Sequence, residues 1–84
     1  MKLTFKQAWF VFWGFPYLLN MRSLEVHDLR RQTKSCSIGM MARKNKRYLS
    51  QSQFEVAVTK GVKINGTMRR ANGCRWCLKK HDTG

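Results

Sequence analysis

The chain carries its most apolar stretch near its start, AWFVFWGFPYLL over Ala8 to Leu19. Within it, Ala8 to Trp13 is a run of aromatic and β-branched residues without helical spacing, which predicts a strand ended by Gly14-Phe15-Pro16. A second strand is expected over Ser23 to His27, where Leu24 and Val26 alternate with Glu25 and His27, and the two would form a hairpin joined near Pro16. Asp28 to Ser35 reads as a polar, basic loop, and Cys36 to Ala42 as a short apolar third strand. The clearest alternation is Gln53 to Thr59, with Phe54, Val56 and Val58 on one face and Glu55, Ala57 and Thr59 on the other. Val62 and Ile64 alternate again before Asn65-Gly66, a dipeptide suited to a type I′ turn. Helix is the competing reading for residues 1–13 and 51–61. The pattern as a whole predicts a mainly β protein: a small OB-like barrel with basic loops over residues 1–66, then an irregular, basic C-terminal extension over 67–84.

Charge narrows the partner. Seventeen Lys and Arg oppose four acids, for a net charge of +13 on 84 residues. The acids are Glu25, Asp28, Glu55 and Asp82, so residues 29–54 and 56–81 are basic without a carboxylate. A small domain with that charge repels itself until an anionic partner neutralises it. Hydrophobic residues at 43% exclude a disordered basic tail, because that much apolar surface can form a core. A folded binder of structured RNA is the expected class, with Arg30, Arg31, Lys34, Arg43, Lys44, Lys46, Arg47, Arg69, Arg70, Arg75, Lys79 and Lys80 as phosphate ligands. Trp76 and Tyr48 lie inside basic segments, where they would stack on unpaired bases or pack against the barrel. The twelve residues of the apolar stretch fall short of the ~20 that cross a bilayer, and no small-x-small cleavage site follows in LNMRSLEV.

Three cysteines bring in a second chemistry. Cys74 and Cys77 with His81 form C-x2-C-x3-H, and Cys36 would complete a zinc site of three thiolates and one imidazole. Free reduced thiols and a disulfide are the other readings of the same residues. His27 is expected to cap the loop after its strand. Catalysis is not expected: there are no paired carboxylates, no Gly-rich phosphate loop and no nucleophile elbow, and a cysteine served by His81 is the one catalytic alternative.

Trp9, Phe10, Phe12, Trp13 and Phe15 exceed what one buried strand face requires. One set of these rings must meet a protein neighbour, RNA or lipid.

Taken in order, Val26-His27-Asp28, Cys36-Ser37-Ile38-Gly39, Arg47-Tyr48-Leu49-Ser50 and Phe54-Glu55-Val56 resemble small-subunit ribosomal protein family number seventeen. There a strand ending in Val-His-Asp is followed by a Gly-Asp turn, a strand, an Arg-Pro-Leu-Ser-Lys segment and a final strand. This chain has Met40 for the turn's Asp, Tyr48 for the Pro, and Gln51 and Gln53 where lysines follow the Ser. Lys6 before Trp9 to Phe12 resembles the family's Lys-Thr, and the likeness spans roughly residues 5–60. The resemblance implies an OB-type barrel with a purely structural role on small-subunit ribosomal RNA, and adds Lys6 and Ser50 to the RNA-contacting set. Neighbouring ribosomal proteins are then the expected partners of the Trp9 to Phe15 run, with no small-molecule substrate and a membrane the less favoured partner. With the CxxC extension it would be a divergent, mitochondrial version, or otherwise a cytoplasmic one. Two other classes stay open: an accessory subunit of an organellar membrane complex contacting anionic lipid, and a small zinc-knuckle nucleic-acid binder.

Overall fold

The structure, a computed structural model, describes residues 3–32, 36, 38, 41–74 and 76–78. The first element is a helix, α1, Phe5–Phe12, where the residue types predict a strand over Ala8 to Trp13. Its start is set locally: the Thr4 hydroxyl accepts the Gln7 backbone N–H at 3.2 Å, and the Gln7 side-chain oxygen accepts the Thr4 N–H at 3.0 Å. This reciprocal capping box satisfies two backbone donors that a helix start would otherwise leave open. Leu3, Gln7, Phe10 and Val11 then share the inward face at helical spacing, and that face outweighs the β preference of the aromatic run.

Pro16 leads into β1, Tyr17–Asn20, which pairs antiparallel with β2, Glu25–Asp28. The hairpin turn therefore lies at residues 21–24 and not near Pro16, with Leu24 at φ 60°. A 3-10 turn, Leu29–Arg31, follows. Cys36 and Ile38 are buried, but no strand forms among the described residues of the 36–42 segment. The Arg43–Asn45 3-10 turn precedes β3, Lys46–Leu49, paired antiparallel with β1. Gln53 to Thr59 is the second strand expectation that fails: helix α2 covers Gln51–Thr59, opened by the same capping device between Ser50 and Gln53. Phe54, Ala57 and Val58 give α2 its inward stripe at i, i+3, i+4, a period that the alternation of Phe54, Val56 and Val58 masks.

Val62–Ile64 (β4) and Thr67–Arg69 (β5) form a separate hairpin around Asn65 at φ 49° and Gly66 at φ 84°, as expected of a type I′ turn. Asn72–Gly73 (β6) pairs parallel with β2, giving a four-stranded sheet in the order β3-β1-β2-β6. The fold is small and mixed, with sheets of four and two strands and two helices. The larger sheet is open among the described residues and closes no barrel.

Pleating divides this sheet between two cores. Tyr17, Leu19, Val26 and Leu49 face α2, where Phe54 is 2% exposed and stacks on Tyr17 at 4.1 Å between ring centres. On the opposite face, Leu18 and His27 are cross-strand partners and lie with Leu29, Cys36, Ile38, Cys74 and Cys77, covered by α1 through Leu3 and Val11. Phe10 stacks on Tyr48 at 3.7 Å, so Tyr48 packs on the body, the second of its two expected roles.

Gly61 ends α2 at φ +109°, and a Cβ there would stand 2.9 Å from the Arg69 carbonyl carbon and oxygen. Gly61→Ala combines a left-handed backbone with a backbone clash and should cost about 1–3 kcal/mol in urea denaturation. Gly66→Ala, with nothing within 4 Å of its Cβ position, should cost about 1 kcal/mol. Equal losses at both sites would show that the approach of β5 to Gly61 is not tight.

Candidate functional site

Three segments far apart in sequence meet beneath α1. β2 supplies His27, the segment after the first 3-10 turn supplies Cys36, and the chain leaving β6 supplies Cys74 and Cys77. The parallel pairing of β6 with β2 makes this meeting possible: the Cys74 N–H donates to the Val26 carbonyl at 2.8 Å, which sets Cys74 beside the neighbouring strand residue, His27. All four side chains are buried, and their ligand atoms lie within 4.8 Å of one another. Cys36 and Cys74 are 3.7 Å apart at Sγ, and Cys77 Sγ is 3.7 Å from His27 Nδ1. A tetrahedral ion with metal–sulfur bonds of ~2.3 Å requires ligand separations of about 3.8 Å. The cluster could hold a metal ion.

The surroundings fit that use. The Asp28 N–H points at Cys77 Sγ at 3.2 Å and the Trp76 N–H at Cys74 Sγ at 3.4 Å, so both sulfurs meet donors that would support thiolates. The Leu78 N–H donates to the Cys74 carbonyl at 2.8 Å and closes the CxxC turn. His27 Nε2 lies 3.4 Å from a Glu25 carboxylate oxygen, which orients the ring with Nδ1 toward the sulfurs. Burial pushes the Cys74 and Cys77 thiols up and the His27 imidazole down. These groups are therefore disfavoured as bare ions, and a dication among them would offset that cost. None of the three cysteines is joined in a disulfide in this structure.

His27 joins Cys36, Cys74 and Cys77 in the buried cluster. The sequence suggests a capping role for it, yet the loop cap is Asp28, whose side chain accepts the Arg30 N–H at 3.0 Å. His81, the expected fourth ligand, lies outside the described residues. Sequence spacing favours His81 because it sits close to the CxxC; the signal for His27 is only its place on the strand face opposite Val26, which carries no weight until the sheet is assembled.

The expected phosphate ligands fall in different settings. Lys6, Arg31, Arg43, Lys44, Arg47, Arg69 and Arg70 are exposed and Lys46 is half-buried. Arg30 forks onto Asp28, with contacts of 3.0 and 3.1 Å, and lies over the Tyr17 ring. Among the described residues it is the one Lys or Arg ion-paired with a carboxylate. Ser50 is engaged as the α2 cap. Lys34, Arg75, Lys79 and Lys80 lie outside the described residues. Arg22, Lys60 and Lys63, all exposed, are cations that the expected set missed. An apolar groove between β3 and α2, lined by Leu19, Leu49, Val56 and Val62, has Arg47 on its wall. Gly61, next to the exposed Lys60, also lines it.

Comparison of the chain with protein-family models, with curated proteins and with solved structures finds no match. The fold and the cluster define the chain's class on their own: a small mixed α/β domain with one histidine and three cysteines buried together as a set of metal-ligand type.

Proposed function

We propose that this chain is a zinc-stapled RNA-binding protein that acts structurally within a ribonucleoprotein particle. The observation that carries this reading is the surplus of exposed cations: against a net charge of +13, the described carboxylates are Glu25, Asp28 and Glu55, and Asp28 is buried and already paired. A phosphate backbone is the partner that neutralises such a surface. Zinc is the metal best suited to three thiols and an imidazole in tetrahedral array, and four protein ligands leave no open position for catalysis. Bound there, zinc supplies a cross-link. The residues do the rest: His27 and the CxxC tie the C-terminal segment, with Arg69 and Arg70 just ahead of it, onto the central strands.

The order of motifs resembling the ribosomal family points to small-subunit ribosomal RNA as the ligand and to a structural, non-catalytic role. That particle is organellar on the divergent reading and cytoplasmic otherwise. The test is sedimentation of lysate containing the tagged chain through a sucrose gradient with and without ribonuclease, with fractions probed for small-subunit RNA. Co-migration with the small subunit that ribonuclease abolishes is the expected result; sedimentation indifferent to ribonuclease would overturn the RNA reading.

A further inference from the structure

Helix α1 is apolar on both sides. Its inward side is accounted for: Leu3 and Val11 pack on the core, Phe10 stacks on Tyr48, and Gln7 accepts a hydrogen bond from the Gln32 side-chain amide at 2.9 Å. Its outward side carries Phe5, Trp9, Phe12 and Trp13, at 89%, 56%, 78% and 59% exposure. The spacing i, i+4, i+7, i+8 sets them in one continuous stripe. Large aromatics this exposed on adjacent turns mark a surface that something apolar covers.

We propose that this stripe seats the protein on an anionic lipid bilayer, with α1 lying along the boundary between headgroups and acyl chains. Charge complementarity selects this occupant. A second copy of a +13 chain is electrostatically the worst partner, whereas an anionic bilayer offers an apolar interior and a negative surface together. α1 contains no acid; Lys6 is exposed beside the stripe, and Arg31 is exposed in the 3-10 turn packed against α1. Stable attachment of this kind takes two signals, and apolar insertion plus basic charge are both present. Tryptophan suits the boundary because its ring is apolar while its N–H stays hydrated.

The rings are poorly arranged for nucleic acid. Trp9 meets Trp13 at 60° and Phe12 meets Trp13 at 89°, edge to face, so they form no parallel shelf on which successive bases could stack. They leave instead shallow apolar grooves between Phe5, Trp9 and Phe12, suited to flexible acyl chains. No helix among the described residues is long and apolar enough to cross a membrane, so the protein would rest on the surface. This inference rests on the exposed face of α1, and of the cations expected to meet RNA it uses Lys6 and Arg31.

The test uses the full chain carrying Trp76→Phe, so that Trp9 and Trp13 alone report, freed of RNA with ribonuclease and mixed with phosphatidylglycerol/phosphatidylcholine vesicles. Cosedimentation and a blue-shifted emission that partly survive high salt are expected. Phe5→Ser with Phe12→Ser should lower partitioning at least about tenfold while circular dichroism and RNA affinity stay unchanged, since both rings are solvent-exposed in the free protein. Partitioning insensitive to the double substitution, or abolished outright by salt, would overturn the proposal. Self-association lost in the double variant without vesicle binding would assign the stripe to a second copy, and reduced RNA affinity would assign it to RNA; either result also overturns it.

Discussion

If zinc fills the cluster of His27, Cys36, Cys74 and Cys77, its removal with a chelator should loosen the cysteine side of the sheet, the largest single effect expected for the protein. The physical reason is the size of the cores. A chain of 84 residues divides its apolar side chains between the two faces of one sheet, and domains this small bury only roughly 60% of their unfolded surface. The cysteine side of that sheet is held by few large side chains, and β6 is two residues long. A zinc cross-link among His27, Cys36, Cys74 and Cys77 would supply what such a core lacks: structural zinc sites contribute about 10–16 kcal/mol of apparent binding free energy. Loss of one ligand in four should remove about a quarter of it, roughly 3 kcal/mol or a hundredfold in affinity.

Cys74→Ser and His27→Gln are therefore expected to lower metal affinity about a hundredfold or more, while His81→Gln should leave it unchanged if His27 is the fourth ligand. Metal analysis should give one ion per chain, and chelation should lower the midpoint of thermal unfolding. Metal-free protein with an unaltered unfolding transition would refute a structural site. The pH dependence has a definite sign. Burial raises the Cys74 and Cys77 thiols, so both are protonated in the metal-free protein at neutral pH, whereas His27, lowered by burial, is neutral and ready to bind. Metal must displace the thiol protons, so affinity should increase with pH by about one decade per unit for each proton released.

A steep loss of RNA affinity with salt is the second large effect expected. If six phosphates are neutralised, the logarithmic slope is about −4 to −5, which corresponds to a loss of roughly 10³ between 50 and 200 mM salt. Arg69→Gln with Arg70→Gln should reduce the slope by about 1 to 2 and weaken binding to all sequences alike, because phosphate contacts carry no base identity. Arg30→Gln should act otherwise. Arg30 is forked onto buried Asp28, so its removal leaves that carboxylate without its cation and should cost stability. Titration of purified small-subunit ribosomal RNA at several salt concentrations measures the slope; a flat response would exclude phosphate neutralisation as the source of affinity.

The two helices show where residue type and alternation mislead, and why. Over Ala8 to Trp13 the aromatic and β-branched content is that of a strand, and over Gln53 to Thr59 so is the alternation. Both segments nevertheless follow a Ser or Thr three residues ahead of a Gln, Thr4 with Gln7 and Ser50 with Gln53. That signature is present in the sequence, and with it helix becomes the better reading of each segment. The aromatics are indeed too many for one buried face; on a helix the excess becomes one continuous outward stripe.

Length, charge and residue type were determined by the sequence alone: a small basic chain, a CxxC with a third cysteine, a type I′ hairpin at Asn65-Gly66, and a second strand over Ser23 to His27, which forms as Glu25–Asp28. Each depends on composition or on neighbours within a few residues, so local chemistry suffices. Only the tertiary structure brought His27 to the cysteines. His27 and Cys77 are fifty positions apart, and their meeting depends on a parallel pairing of β6 with β2 that no local pattern encodes. Metal-ligand geometry depends on distances of a few ångströms, and in this chain the pleat of one strand sets them.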